Sequence, residues 1–353
     1  MAALSNSPQR VVVADDSRLM RRILSDALGR KGFDVVATAA DGDEALAACN
    51  AHRPDALTLD LHMPGLDGLG VLRALKAGKA LPVPVVVVSA FSPAHGARAV
   101  DALAEGAFDL VAKPAMGESM EDFTTELARK VNDAAEGGRM RRRRPILRPA
   151  VAPPSAIVAA RPRISATRKM VLIASSTGGP KALGELIPKL PSPLGAGSLI
   201  IQHMPAGFTT SLASRLDASS ALTVREATGG EAMEPGRMYL APGGAHLRMG
   251  DDRRVRLSDE APMGGLRPRA DLTIADAAKL YGSSLLLVVL TGMGKDGLDG
   301  ARAVKAAGGR ILVEAESTCV VYGMPRAVAE AGLADEILPL HDLAAAIARE
   351  AGA

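Results

Sequence analysis

Short apolar runs alternate along the chain with longer stretches in which apolar and polar residues mix at helical spacing. Early in the sequence the runs are residues 10–14, 35–38, 56–59, 85–88 and 110–112. Helix-like segments such as 18–30 and 43–50 lie between them. Further on, the runs 171–174, 198–202, 237–241, 285–290 and 311–314 follow the same rhythm. Apolar strands alternating with helices predict parallel sheets covered on both faces, an α/β fold. Residues 243–258 alternate around Leu247, Met249 and Val255 and predict a hairpin. No repeat of solenoid period is present.

The rhythm breaks once. Residues 131–168 carry Arg139, Arg141, Arg142, Arg143, Arg144 and Arg148, then several prolines, and show no periodicity. This composition predicts a basic, Pro-rich linker. The expected organisation is a first domain over 1–130, a linker over 131–168 and a second domain over 169–353. A length of 353 residues suits two domains.

Composition narrows the function. Aromatics are 2% and Trp is absent, so base-stacking platforms are excluded, and a net charge of +3 gives no global case for nucleic acid. Cys49 and Cys319 fall in different predicted domains, which argues against a disulfide framework. The apolar runs are too short to cross a bilayer. The amino-terminal residues lack a signal-peptide pattern, and a cytoplasmic location is expected.

Chemistry gathers at the strand ends, where open parallel sheets bind ligands. Asp15 and Asp16 follow the first strand, Asp60 the third, Ser89 the fourth, and Lys113 with Pro114 the fifth. Three carboxylates at one edge repel one another, and a hard cation such as Mg²⁺ relieves the repulsion. Lys113 offers a point charge to a phosphoryl oxygen, and the Ser89 hydroxyl offers a hydrogen bond. Together they describe an aspartyl phosphate made and lost at Asp60. A lone Asp after a strand is ordinarily a cap or turn residue. The ordered set at four strand ends is what carries the reading.

The segments VVVADDSRLMRRIL, LTLDLHMPGLDGLGVL, VVVVSA and GAFDLVAKP resemble a response-regulator receiver. The resemblance implies a flavodoxin-like strand order, Asp60 as phosphoacceptor, Asp15 and Asp16 as metal-binding acids, and Mg²⁺ as cofactor. It also implies Lys113 as phosphate contact, Ser89 as switch hydroxyl, Phe108 as switch aromatic, and the His62 backbone carbonyl as a metal ligand. The His62 imidazole is read as a bystander.

The second domain opens with a strand followed by Ala174-Ser175-Ser176-Thr177-Gly178-Gly179-Pro180. A strand, a glycine turn and a helix present a serine on a corner, close to the G-x-S-x-G pattern. A serine hydroxyl needs a base. His203 follows the next strand, and Asp296 follows another and can orient it. His246 is the rival base. His52, His95 and His341 read as surface residues. Gly292, Gly294 and Gly297, with Glu314 beyond, also fit a dinucleotide-binding pattern. Against that, Asp296 would set a carboxylate beside a pyrophosphate. A receiver driving a DNA-binding output through the Arg run is a further alternative.

The segments ASSTGGPKAL, IQHMPAGFTTSLASRL, PGRMYLAPGGAHL, LTGMGKDGLDGARAVKAAGG and EAESTCVVYGMPRAV are similar to the catalytic domain of CheB-type protein-glutamate methylesterases. That resemblance implies a doubly wound, mainly parallel α/β esterase domain needing no cofactor. It implies Ser176 as nucleophile, His203 as general base and Asp296 as its orienting acid. The backbone N–H of Met293 would serve the oxyanion hole, with Thr177 beside the nucleophile. Where the family often has Arg-Pro-Ser-Val-Asp, this chain has Arg267-Pro268-Arg269-Ala270-Asp271. The implied reaction is hydrolysis of glutamate γ-methyl esters on chemoreceptors, with glutamine deamidation by the same chemistry. The implied partners are a chemotaxis histidine kinase and the receptors, with no nucleic acid and no membrane insertion.

Overall fold

The computed structural model describes residues 7–78, 82–90, 92–115, 117, 119–143 and 168–352. The chain divides into two compact units, residues 1–148 and 149–353.

The first unit runs β1 (Arg10–Ala14), α1 (Arg18–Arg30), β2 (Asp34–Ala39), α2 (Gly42–His52), β3 (Ala56–Leu59), α3 (Gly68–Lys76), β4 (Val85–Ser89), α4 (Pro93–Glu105), β5 (Asp109–Ala112) and α5 (Met120–Arg143). Its strands pair in parallel in the order β2-β1-β3-β4-β5. This is the flavodoxin-like order, with the topological switch at β1 and β3. The β-branched runs of β1 and β4 are buried on both faces, which is why they do not alternate with polar residues. Ser17, Asp41, Asp67 and Ser92 each accept a backbone N–H at the start of the helix they precede, α1 to α4 in turn.

α5 corrects the expected boundary at 130. It runs on to Arg143, because Phe123, Leu127, Val131, Ala134 and Ala135 form one buried stripe at helical spacing. Arg139 sits on this helix, pairing with Asp55 at 2.8 Å. Arg144, Arg148 and the following prolines lie outside the described residues.

The second unit runs β6 (Met170–Ser175), α6 (Gly179–Leu186), β7 (Ser198–Gln202), α7 (Phe208–Ser219), β8 (Thr223–Glu226), β9 (Arg237–Leu240), β10 (His246–Met249), β11 (Val255–Ser258), α8 (Ala270–Tyr281), β12 (Leu285–Val289), α9 (Leu298–Ala306), β13 (Arg310–Glu314), α10 (Met324–Glu330), β14 (Glu336–Leu338) and α11 (Leu340–Ala351). Seven strands pair in parallel in the order β14-β13-β12-β6-β7-β9-β8. β10 and β11 form the expected antiparallel hairpin. The central strands β12, β6 and β7 are fully buried. With few aromatics, the core is mostly Leu, Ile, Val, Ala and Met, with Tyr239 among them. The sheet reverses direction about β6, so the carboxyl ends of β12, β6 and β7 meet at the place where such sheets hold ligands.

Candidate active site and phosphoacceptor cluster

Ser176 leaves the end of β6 and is fixed by backbone bonds on both sides. Its N–H donates to the Thr291 carbonyl at 3.0 Å, and its carbonyl accepts from Gly179 at 2.8 Å. The turn is made by Gly178 at φ +80°, ahead of Pro180 in the first turn of α6. Ser176 itself is not among the residues with positive φ, so the corner is unlike the strained serine of a nucleophile elbow. Glycine is needed beside it for space. A Cβ on Gly292 would lie 2.9 Å from the Ser176 Cβ and 2.4 Å from the Met324 Sδ.

His203 stands one residue beyond the Ser175–Gln202 register pair of β6 and β7, and its N–H donates to the Ser175 carbonyl at 3.1 Å. Adjacent strands are about 4.8 Å apart, so Ser176 and His203 are neighbours at one edge. Gln202 ties the two strand ends together. Its Nε2 donates to the Ser176 and His203 carbonyls at 2.9 and 3.1 Å, and its Oε1 accepts from the Ser175 hydroxyl at 2.7 Å.

The His203 ring meets Asp296 through Nε2, 2.8 Å from Oδ2. That leaves Nδ1 for proton exchange. Asp296 is buried and accepts the N–H groups of Ala270 at 2.7 Å, Asp271 at 3.0 Å and Gly297 at 2.9 Å. Burial alone would raise its pKa. His203 and these amides outweigh burial and hold the carboxyl well below the usual carboxylate range. Asp271 answers in kind, accepting Gly297 and Gly300 at the start of α9, each at 2.9 Å. Each carboxylate thus satisfies amides at the start of the other's helix.

In the first unit, single carboxylate oxygens of Asp15, Asp16 and Asp60 all lie within 4.8 Å of one another. The Lys113 ammonium is 2.7 Å from Asp15 Oδ2 and 2.8 Å from Asp60 Oδ2. Three carboxylates against one ammonium leave an excess of two negative charges, and an all-oxygen donor set of that charge fits Mg²⁺. Burial pushes the Asp15 carboxyl up despite Lys113. Burial pulls Lys113 down, and its bonds to Asp15 and Asp60 raise it above the ordinary lysine value. Ser89 is fully buried at the end of β4. The His62 N–H donates to Asp60 Oδ1 at 3.3 Å.

Sequence comparison agrees with this geometry. The family model for CheB methylesterase matches residues 171–347, and that for the response regulator receiver domain matches 11–124. A protein-glutamate methylesterase/protein-glutamine glutaminase of Symbiobacterium thermophilum is 42% identical over 98% of both chains. One from Myxococcus xanthus is 44% identical over 97% of this chain and 98% of its own. The crystal structure of the Thermotoga maritima CheB methylesterase catalytic domain aligns with a TM-score of 0.50 at 46% identity, covering 51% of this chain and 97% of that one.

This chain belongs to the CheB methylesterase family. It is a receiver followed by an esterase domain. The geometry also counts against the dinucleotide reading. The Gly297 N–H is committed to Asp271 and Asp296, and Glu314 is buried on the Thr291 N–H at 2.8 Å. His246 is buried with Nε2 3.3 Å from the Ala261 carbonyl, and its hydrogen-bond partner is that backbone group. Thr177 is buried, its carbonyl taking the Thr291 hydroxyl at 3.0 Å. Met293 is half-buried, directly after the Gly292 that packs on Ser176.

Two expectations are corrected. Phe108 precedes β5 and its N–H pairs with the Val85 carbonyl at the start of β4, at 2.8 Å. It packs against Gly137 of α5, a full strand length from Ser89 and Lys113, so it is core there. His95 is half-buried rather than a surface residue. Its ring lies 3.9 Å from that of His62. Sequence reasoning missed Gln202 and Asp271. Both lie within segments quoted above, and a polar side chain at the end of a buried strand is the signal that could have found Gln202.

Proposed function

We propose that this chain hydrolyses glutamate γ-methyl esters on chemoreceptors, releasing methanol, and deamidates receptor glutamines by the same acyl chemistry. Phosphorylation of Asp60 by a histidine kinase raises its activity, and it works in the cytoplasm. The observation that carries the reading is the His203–Asp296 bond of 2.8 Å beside Ser176 at three adjoining strand ends.

Asp296 stays ionised and holds the proton on His203 Nε2. Nδ1 takes the Ser176 proton as Oγ attacks the ester carbonyl carbon. The carbon–methoxide bond then breaks, and the proton on Nδ1 passes to the leaving group as methanol. Water attacks the acyl-Ser176 ester with Nδ1 again as base, and the glutamate carboxylate leaves with Ser176 regenerated. For glutamine the leaving group is ammonia. Base catalysis of this kind is worth roughly 10²–10⁴-fold. The Met293 N–H would hold the oxyanion, a role worth about 10²–10³-fold.

In the receiver, Asp15, Asp16 and Asp60 would hold Mg²⁺. When bound, Mg²⁺ offsets the charge of the incoming phosphoryl group. Lys113 neutralises a phosphoryl oxygen and Ser89 donates to another. The added charge shifts the receiver between two states, and the unphosphorylated state restrains the esterase.

Ser176→Ala tests the catalytic half. It is expected to melt like the native protein and to lose methanol release by a factor on the order of 10³ or more. Native turnover in Ser176→Ala would overturn the triad.

A further inference from the structure

The carboxylate that orients His203 is not its private partner. Arg269, the residue before α8, lays its guanidinium across both buried acids of the site. Its Nε is 3.6 Å from Asp296 Oδ1 and its Nη2 donates to Asp271 Oδ2 at 2.9 Å. Its Nη1 donates to the Met263 carbonyl at 3.0 Å, which fixes the third side of the fork. The side chain is 22% exposed, against 2% for Asp296 and 11% for Asp271. The guanidinium is therefore held by the loop carbonyl and by both acids, with part of it in reach of water. Arg269 makes no capping bond to α8; the Asp296 carboxylate accepts the amides there instead.

We infer that Arg269 sets the pH range of the esterase, acting through Asp296 on the basicity of His203. The inference rests on the catalytic roles proposed above. When His203 takes the serine proton it becomes a cation. Without Arg269 that cation would face the Asp296 carboxylate with no second cation on it, beside an Asp271 carboxyl that burial pushes up. With Arg269 the field is reduced by one positive charge. With the Asp296 charge shared, the imidazolium is less stabilised and the free base persists to lower pH. The other charged groups around the pair are Asp299 in the first turn of α9, which acts on Arg269, and Lys295, which precedes Asp296 in the chain. Neither bonds to His203. Arg269 is thus a positioning residue: it need not touch the substrate ester.

The test is the pH dependence of kcat/KM for methanol release by the full-length protein, comparing native, Arg269→Gln and Arg269→Lys. Loss of the charge is expected to move the acid limb upward by about one pH unit, from the interaction of unit charges several ångströms apart in a partly buried site. Arg269→Lys, which keeps the charge, is expected to hold the limb near its native position. The His203 ring titration, followed by NMR in the Ser176→Ala background, should shift in the same sense and needs no turnover. An unmoved acid limb and an unmoved His203 titration in Arg269→Gln would overturn the inference. So would equal shifts in Gln and Lys variants, which would mean a steric role. If Ser176→Ala keeps native turnover, the triad itself fails; if it is inactive and the Arg269→Gln profile stays in place, only the role of Arg269 fails.

Discussion

At the residue scale, two carboxylates with opposite electrostatics divide the work. Asp296 is buried yet surrounded by donors, which hold it ionised. Asp15 is buried with other acids nearby, and burial raises its pKa. The sign of the consequence follows. A raised folded-state pKa means that folding favours the protonated acid, so this group's contribution to stability falls as pH rises through the raised value. Asp15→Asn is therefore expected to melt higher than the native protein without Mg²⁺ at neutral pH. The gain should shrink as pH falls below the carboxylate range. The same variant should lose phosphorylation at Asp60. Thermal melts across pH with and without Mg²⁺ check this; a variant less stable at neutral pH without metal would contradict it.

Much at this scale was legible in the sequence, because strand ends place chemistry. Asp15, Asp60, Lys113, Ser176, His203 and Asp296 all lie just past, or within a loop of, an apolar run. Asp271 was not legible, since its bonds to the start of α9 exist only in the packed fold, and Gln202 is marked in the sequence only by its polarity at the end of a buried strand. The receiver resemblance implies Phe108 as the switch aromatic, yet it stands before β5, at the opposite end of that strand from Lys113.

At the element scale, the active site is a product of strand order. β6 carries the proposed nucleophile, β7 the proposed base and the loop after β12 the proposed acid, and β12, β6 and β7 are neighbours in the sheet. The loop after β12 leaves no room for a side chain beside Ser176. Gly292→Ala would push a Cβ to 2.9 Å from the Ser176 Cβ. Overpacking of this kind is expected to cost about 1–3 kcal/mol and to displace the nucleophile. A lower melting temperature with at least tenfold slower methanol release is the expected result, and native turnover would contradict it. The strands with continuous apolar runs were readable from the chain. β8 and β14 were not, because edge strands with exposed positions lack such a run. α5 is hard to read past 130 because the arginine-rich stretch that follows obscures the end of the stripe of Leu127, Val131 and Ala134.

At the scale of the whole molecule, two units with separate chemistry share one chain, and the proposal that joins them is control of the esterase by Asp60. The receiver contributes no residue to the Ser176–His203–Asp296 set, so its influence must pass through a change of state at the phosphorylation site. Both units are needed to test it, on the full-length protein and its natural class of substrate. The decisive measurement is methanol release from methylated chemoreceptor membranes, with and without Mg²⁺ and a small phosphodonor. Release is expected to rise with Mg²⁺ and phosphodonor together, to lose that rise in Asp60→Ala, and to vanish in Ser176→Ala. Release that ignores the phosphodonor, or that rises equally in Asp60→Ala, would contradict the coupling of receiver to esterase.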